Sequence, residues 1–397
     1  MSRLKRRLLV AVSMVILLAV FAAALLYVPT QRALERAEAF KFRRMLVVRL
    51  EDQESYRFFF VTNRDLEPGD APLEERFGAE RAGTVTYGVF DTWIEPSLGL
   101  GMIINPTDWF QNEEIRFRSV QTLPQADFVA ELRRLVHASP HRSLLVMVNG
   151  FRETFPGALR KTAFLSHVLD INSPALVFDW PGNQGSSLRG YQRARDVAIE
   201  SGADLAETLK LLVHEVQPEK LWLVANSMGA QVVVDAFSLL YQEADLADSQ
   251  TEIEHVVLTA PDVGKEEFHS RFKREIAALA RHLTVYVSSN DRALLMSRVI
   301  NRARRRGESS LGTLDSDQLE EASRLYDLID RDEKLITLVD VTPVNRTRNF
   351  HNFGLETPEF FDDLYLRLVN DQVPSSRRLY PVRVPDGPIY WVLTSGR

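Results

Sequence analysis

The sequence predicts an α/β fold, with a mostly parallel central sheet carrying helices on both faces. Three observations lead there. From Ser143 onward, short apolar runs alternate with segments of helical period, the rhythm of strand–helix–strand units. The runs are continuously hydrophobic rather than alternating, as strands buried on both faces must be. One run, Leu221 to Ala225, leads into Asn226-Ser227-Met228-Gly229. An apolar helical pattern follows (Val232, Val233, Val234, Phe237, Leu240).

Composition bounds the function. The chain has 397 residues, 45% apolar and 26% charged, enough for a sizeable core in one large domain or two ordinary ones. A net charge of −6 gives no ground for a general nucleic-acid binder. The absence of cysteine excludes disulfides, thiolate metal sites, a cysteine nucleophile and a lipidated cysteine anchor. The eight histidines have no metal-ligand spacing. No phosphate-binding Gly-x-x-x-x-Gly-Lys loop occurs, and Gly99 with Gly101 makes no dinucleotide fingerprint. Neither a metal nor a cofactor is expected.

Taken in order, residues 1–7 are a short basic tail with Arg3, Lys5, Arg6 and Arg7. Leu8 to Val28 is apolar or small apart from Ser13, long enough to cross a bilayer as a helix, and Pro29 ends it. A transmembrane anchor is expected over 8–28. The rival is a cleavable signal peptide with Ala22-Ala23-Ala24 as its small-residue site, but the apolar run is long for that and continues past it. The leading positive charges place the N-terminus in the cytoplasm and the rest of the chain outside, in the periplasm of a Gram-negative cell. Arg32, Arg36, Lys41, Arg43 and Arg44 on the far side weaken that orientation signal. Residues 29–44 read as a charged stalk.

Residues 45–397 form the main domain. Met45–Leu50, Tyr56–Val61 and Thr84–Ile94 have strand character and suit an antiparallel edge of a larger sheet. Strands are then predicted at Leu144–Val148, Ala175–Trp180, Leu221–Ala225, Ile253–Leu258, Leu283–Val287 and Leu335–Val341. Helices are predicted at Pro156–Leu169, Ala198–Val213, Met228–Leu240, Phe268–Leu279 and Glu356–Val369. An insertion over 294–334 carries Arg298, Arg302, Arg304, Arg305 and Arg306. It reads as a solvated helical face, with a lid or a contact to anionic lipid as the alternatives.

Strand, serine, helix is the pattern of a nucleophile elbow, which needs small residues two before and two after its serine. Ala225 and Gly229 supply them. The string alone is weak, because one like it arises by chance in roughly a third of chains this long. Serine is also a common helix N-cap. Two further Ser-x-Gly strings, at Ser97 and Ser310, have glutamate at the position two before and no preceding strand.

A serine hydroxyl becomes a nucleophile when a base takes its proton and an acid orients that base. In the α/β-hydrolase arrangement the order is Ser, Asp or Glu, His, with the partners on loops at strand carboxyl ends. Asp291 follows the run Leu283–Val287, and His351 is the one histidine after it. Asp262 in Ala260-Pro-Asp-Val263 is the rival acid. The oxyanion needs two backbone donors. The N–H of Met228 and, from the loop Asn149-Gly150-Phe151-Arg152, the N–H of Phe151 are the candidates.

From about Tyr56 to Leu368 the chain resembles the bacterial α/β-hydrolase family catalogued as domain of unknown function 900. The resemblance rests on Val61-Thr62-Asn63-Arg64, Gly150-Phe151, Phe178-Asp179-Trp180-Pro181, Ser227-Met228-Gly229, Ala260-Pro261-Asp262-Val263, Ser288-Ser289-Asn290-Asp291-Arg292-Ala293-Leu294 and His351. It implies a Ser-Asp-His hydrolase fold. The chain departs from the usual family pattern at Asn149 and Asn226, where histidine is usual. It also departs at Ala230, where asparagine is usual, and at Asn352-Phe353, where Ser-Tyr is common.

The expected function is a membrane-anchored serine hydrolase cleaving a carboxylic ester or related acyl bond of a small-molecule or lipid substrate. Ser227 attacks, His351 is base and then acid, and Asp291 orients His351. A non-catalytic binding or scaffold protein of the same fold and an amide or peptide hydrolase are the alternatives. No nucleic-acid partner is expected, and the sequence identifies no protein partner.

Overall fold

The computed structural model describes residues 14, 45–52, 55–95, 115–243, 253–264, 272–288, 336–345, 353–383 and 389–395. In chain order the elements are β1 (Ser55–Leu66), α1 (Leu73–Arg76), β2 (Phe77–Ile94), β3 (Ile115–Thr122), α2 (Gln125–Ala138), β4 (Ser143–Val148), α3 (Phe155–Leu169) and β5 (Ala175–Asp179). There follow α4 (Leu188–Leu211), ending in a π-turn at Leu212–Val216, β6 (Lys220–Asn226), α5 (Gly229–Leu240), β7 (Ile253–Thr259), α6 (Lys273–Leu279) and β8 (Ala280–Val287). The last are β9 (Ile336–Asp340), α7 (Phe353–Glu356), α8 (Pro358–Leu368), β10 (Leu379–Arg383) and β11 (Ile389–Leu393).

The strands make one sheet in the order β10-β11-β9-β8-β7-β6-β4-β5-β1-β2-β3. Pairing is parallel from β1 through β5, β4, β6, β7, β8 and β9 to β11, and antiparallel for β1–β2–β3 and β10–β11. Each parallel strand sends alternate side chains to opposite faces. Along β6, Leu221, Leu223 and Ala225 join a core with α2, α4, α5 and α6. Trp222 and Val224 join a second core with α3 and α8. This two-sided burial explains why the strands read as unbroken apolar runs.

β4 connects through α3 to β5 on one side, while β6 connects through α5 to β7 on the other. Adjacent strands whose connections diverge leave a crevice beyond their carboxyl ends, where ligands bind in open α/β sheets. The loop 149–154 and Ser227 both begin there.

Several expectations shift. Met45–Leu50 is not a strand but a turn, with a lone bridge from Arg49 to Tyr56. Thr84–Ile94 is the second half of the longer β2. α4 starts ten residues before Ala198, capped by Ser187, which accepts from the Gly190 N–H. Its early turns bury Gly190, Tyr191 and Ala194, which give little hydrophobic signal. β3, α2, β10 and β11 were not anticipated. α2 does carry helical spacing in Phe128, Val129, Leu132, Leu135 and Val136. No helix among the described residues is long and apolar enough to cross a membrane. The expected tail, anchor and stalk lie outside the described residues apart from Met14, as does the insertion 294–334.

A buried ion pair fixes β8 to the C-terminal segment. Arg377 donates to both Asp363 oxygens at 2.7 and 2.5 Å, and the Tyr286 hydroxyl donates to Asp363 at 2.6 Å. Burial and the Asp363 carboxylate hold the Tyr286 phenol well above its ordinary value. Asp363→Ala leaves a buried guanidinium unpaired and should lower unfolding free energy by about 3–5 kcal/mol. Urea unfolding followed by tryptophan fluorescence measures this.

Candidate active site

Ser227 turns the chain between β6 and α5 with φ +52°. Left-handed backbone disfavours a residue with a Cβ by roughly 1–2 kcal/mol, so its surroundings must impose it. Three backbone hydrogen bonds do so. Ser227 N–H donates to Thr259 O at 2.9 Å, and Ser227 O accepts from Ala230 N (3.1 Å) and Asp262 N (3.0 Å). The next turn lies against β4. A Cβ at Gly229 would stand 2.5 Å from Val148 O and 2.6 Å from Asn149 O, so only glycine fits. Gly150 lies equally close, since its Cβ would stand 2.8 Å from the Ser227 Cβ.

Ser227 is not the helix cap. The N-cap position of α5 is Met228, and no side chain caps it. Among the described residues, none accepts a hydrogen bond from the backbone N–H of Met228 or of Phe151. The helix dipole adds positive potential at this end. Arg152 is left-handed (φ +68°), and its N–H donates to Gly182 O at 2.8 Å, turning the loop after β4 back toward the segment after β5.

The two asparagines where histidine was usual are both engaged. Asn226 Nδ2 donates to Thr259 Oγ1 at 3.0 Å. Asn149 Nδ2 reaches Ala158 O at 3.5 Å, and Asn149 O accepts from the Trp180 indole at 2.7 Å. Asp262 follows β7, and its carboxylate accepts from the Tyr191 hydroxyl at 2.8 Å. Tyr191 also packs edge-on against Phe151, with ring centroids 5.6 Å apart. Thus Asp262, Tyr191 and Phe151 form one wall beside Ser227. Tyr191 was missed in the sequence because the start of α4 was missed.

Asp291 and His351 lie outside the described residues, but the segments leading to them are in place. Ser288, after β8, accepts from Asn345, after β9, at 2.9 Å between buried groups. Past position 351, Phe353 is fully buried beside Phe360, and a Cβ on Gly354 would meet Thr259 Oγ1 at 3.5 Å. Thr259 is the residue that accepts the Ser227 N–H.

One described group could offer metal ligands: Glu254, His255 and Asp371, whose ligand atoms lie within 4.8 Å of one another. Arg281 already pairs with Glu254 at 3.3 Å and Arg367 with Asp371 at 3.2 Å. Burial, then Arg367, push the His255 imidazole down to about 2, so it stays neutral at physiological pH. Glu254 and His255 sit at the amino end of β7, opposite the serine end.

A family model described as alpha/beta hydrolase of unknown function (DUF900) matches residues 125–362. No curated protein matches. Among solved structures, a zinc-bound, cold-adapted esterase from an Arctic intertidal metagenomic library shares 14% identity. That match covers 81% of this chain and 97% of that one at a TM-score of 0.37. The Pyrococcus furiosus esterase Pf2001 shares 11%, covering 57% and 80%, at 0.31. The thermophilic esterase Est2 from Thermogutta terrifontis shares 12%, covering 57% and 84%, at 0.28.

Gly229→Ala drives a Cβ into two backbone carbonyls and should destabilise the protein by about 1–3 kcal/mol. Thermal unfolding of this variant beside Ala230→Gly, which adds no atom, measures that clash.

Proposed function

This chain belongs to that family of alpha/beta hydrolases of unknown function (DUF900), and from that premise we propose a serine hydrolase cleaving a carboxylic ester or related acyl bond. The observation that carries the reading is the left-handed Ser227. Its hydroxyl is not used for capping, and among the described residues neither the N–H of adjoining Met228 nor that of Phe151, which follows the Gly150 packed against Ser227, has an acceptor.

In this reading Ser227 Oγ attacks the acyl carbon and its proton passes to His351. The oxyanion accepts from Met228 and Phe151 N–H, in a site where such donors are pre-aimed. Collapse expels the alcohol, protonated by His351, and leaves an acyl-serine. Water, deprotonated by His351, then releases the acid. Chain position supports His351 as the base. In sequence His351 comes two residues before buried Phe353, and Gly354 packs against Thr259, whose carbonyl accepts the Ser227 N–H. Asp291 is our preferred acid. Asp262 already accepts from Tyr191, which favours a bracing role for it.

The departures at Asn149 and Asn226 were the ground for a non-catalytic binding protein. Both side chains hold the loops around Ser227, which weakens that ground. We also propose that residues 8–28 anchor the protein with the hydrolase domain outside the cytoplasm. Full-length protein should then stay in the membrane pellet after carbonate extraction, and release of a shortened chain would point to a cleaved signal peptide.

A fluorophosphonate probe should label wild type at Ser227, and Ser227→Ala should neither label nor hydrolyse p-nitrophenyl esters. A labelled Ser227→Ala would sink the assignment. Asp291→Asn should lower kcat by about 10⁴, as loss of a triad acid does, while Asp262→Asn should stay within about tenfold of wild type. The reverse order would make Asp262 the acid.

A further inference from the structure

We propose that Arg64 is a positioning residue for the second oxyanion donor, rigidly fixing the loop that carries Phe151. The proposal rests on the serine-hydrolase reading. Arg64 lies near the end of β1, paired with Arg81 of β2, and its side chain is completely buried. A buried guanidinium needs an acceptor along each N–H direction, and its flat fork fixes where those acceptors stand. Nε and Nη2 grip the Asp179 carboxylate at 2.6 and 3.2 Å. Nη2 also donates to Trp180 O at 2.7 Å and to Glu153 O at 2.8 Å. Nη1 donates to Gly78 O at 2.9 Å and to Asn183 Oδ1 at 2.5 Å. Thr62 donates its hydroxyl to the same Asp179 oxygen that Nε holds.

Apart from Gly78 on β2, these acceptors belong to the two segments around the site. Glu153 is in the loop after β4, two residues from Phe151. Asp179 ends β5, and Trp180 and Asn183 follow it. The segments are also joined directly. Trp180 donates to Asn149 O at 2.7 Å, Arg152 N–H donates to Gly182 O at 2.8 Å, and a Cβ on Gly182 would stand 2.9 Å from Gly150 O. Arg64 therefore holds the Glu153 end of the loop 149–153 directly and the Asn149 end through Trp180, while Gly150 lies against Ser227. Asp179 balances its charge, so the geometry survives in a dry interior. Arg64 itself touches no reacting atom.

An oxyanion donor acts mainly in the transition state, so displacing it lowers kcat and leaves KM nearly unchanged. The test compares wild type, Arg64→Lys, Asn183→Ala and, as control, Arg57→Lys. The control replaces another paired guanidinium on β1, one held by Asp91 and Glu131. Asn183→Ala removes one acceptor and keeps the ion pair, so it remains usable if Arg64→Lys does not fold. Two readouts apply: kcat on p-nitrophenyl butyrate per serine titrated with fluorophosphonate, and hydrogen exchange of the peptide covering 149–153.

Arg64→Lys should lower kcat per titrated serine by about 10- to 100-fold with KM within about twofold, and exchange over 149–153 should quicken. Asn183→Ala should move both in the same direction by less. Arg57→Lys should leave kcat per titrated serine unchanged. Unchanged exchange over 149–153, or a kcat per titrated serine equal to wild type in both site variants, overturns the proposal. Should wild type neither label nor hydrolyse, the hydrolase reading fails instead. Exchange alone then decides whether Arg64 holds the loop.

Discussion

The left-handed backbone at Ser227 is the constraint that the surrounding structure serves. A serine there is strained by roughly 1–2 kcal/mol, and only contacts from several strands hold it. Thr259 at the end of β7 takes its N–H, while Asp262 and Ala230 donate to its carbonyl. The carbonyls of Val148 and Asn149 at the end of β4 leave room for nothing larger than Gly229. The strain has a chemical result: the serine hydroxyl stands at a helix start without capping it, and the N–H of Met228 has no acceptor among the described residues.

Beneath that turn lies a polar scaffold inside an otherwise apolar sheet. Arg64 and Asp179 form a charge-matched pair whose remaining donors reach backbone carbonyls of the two loops around the serine. Asn226 with Thr259, and Trp180 with Asn149, complete it. Polar groups this deeply buried are destabilising unless fully bonded. When bonded they fix one arrangement of the loops, whereas apolar packing would allow several. Asp363, Arg377 and Tyr286 repeat the principle further along the sheet, tying β8 to the C-terminal strap.

Much of the fold was legible in the sequence. Unbroken apolar runs marked the central parallel strands because both of their faces are buried, and Ser227 with Gly229 marked the elbow because few residues fit such a turn. The edges were less legible. β3 carries Arg116 and Arg118 among its apolar residues, and only Ile115 of it is buried, so its signal is faint. Met45–Leu50 has strand composition without a strand's partners, and β-propensity without a neighbour to pair with decides little. The start of α4 hid behind small and charged residues.

The sequence by itself determined the class of fold, the position of the serine and the identity of its candidate partners, because these depend on local pattern and on order along the chain. Only the tertiary structure decided what the other polar residues do. Arg64 and Asp179 are 115 positions apart, and Tyr191 and Asp262 are 71 apart. No local pattern encodes such pairings. They arise because sheet order brings the ends of β1, β5, β4, β6 and β7 side by side, and because a buried polar group must find its partner wherever the fold has placed one.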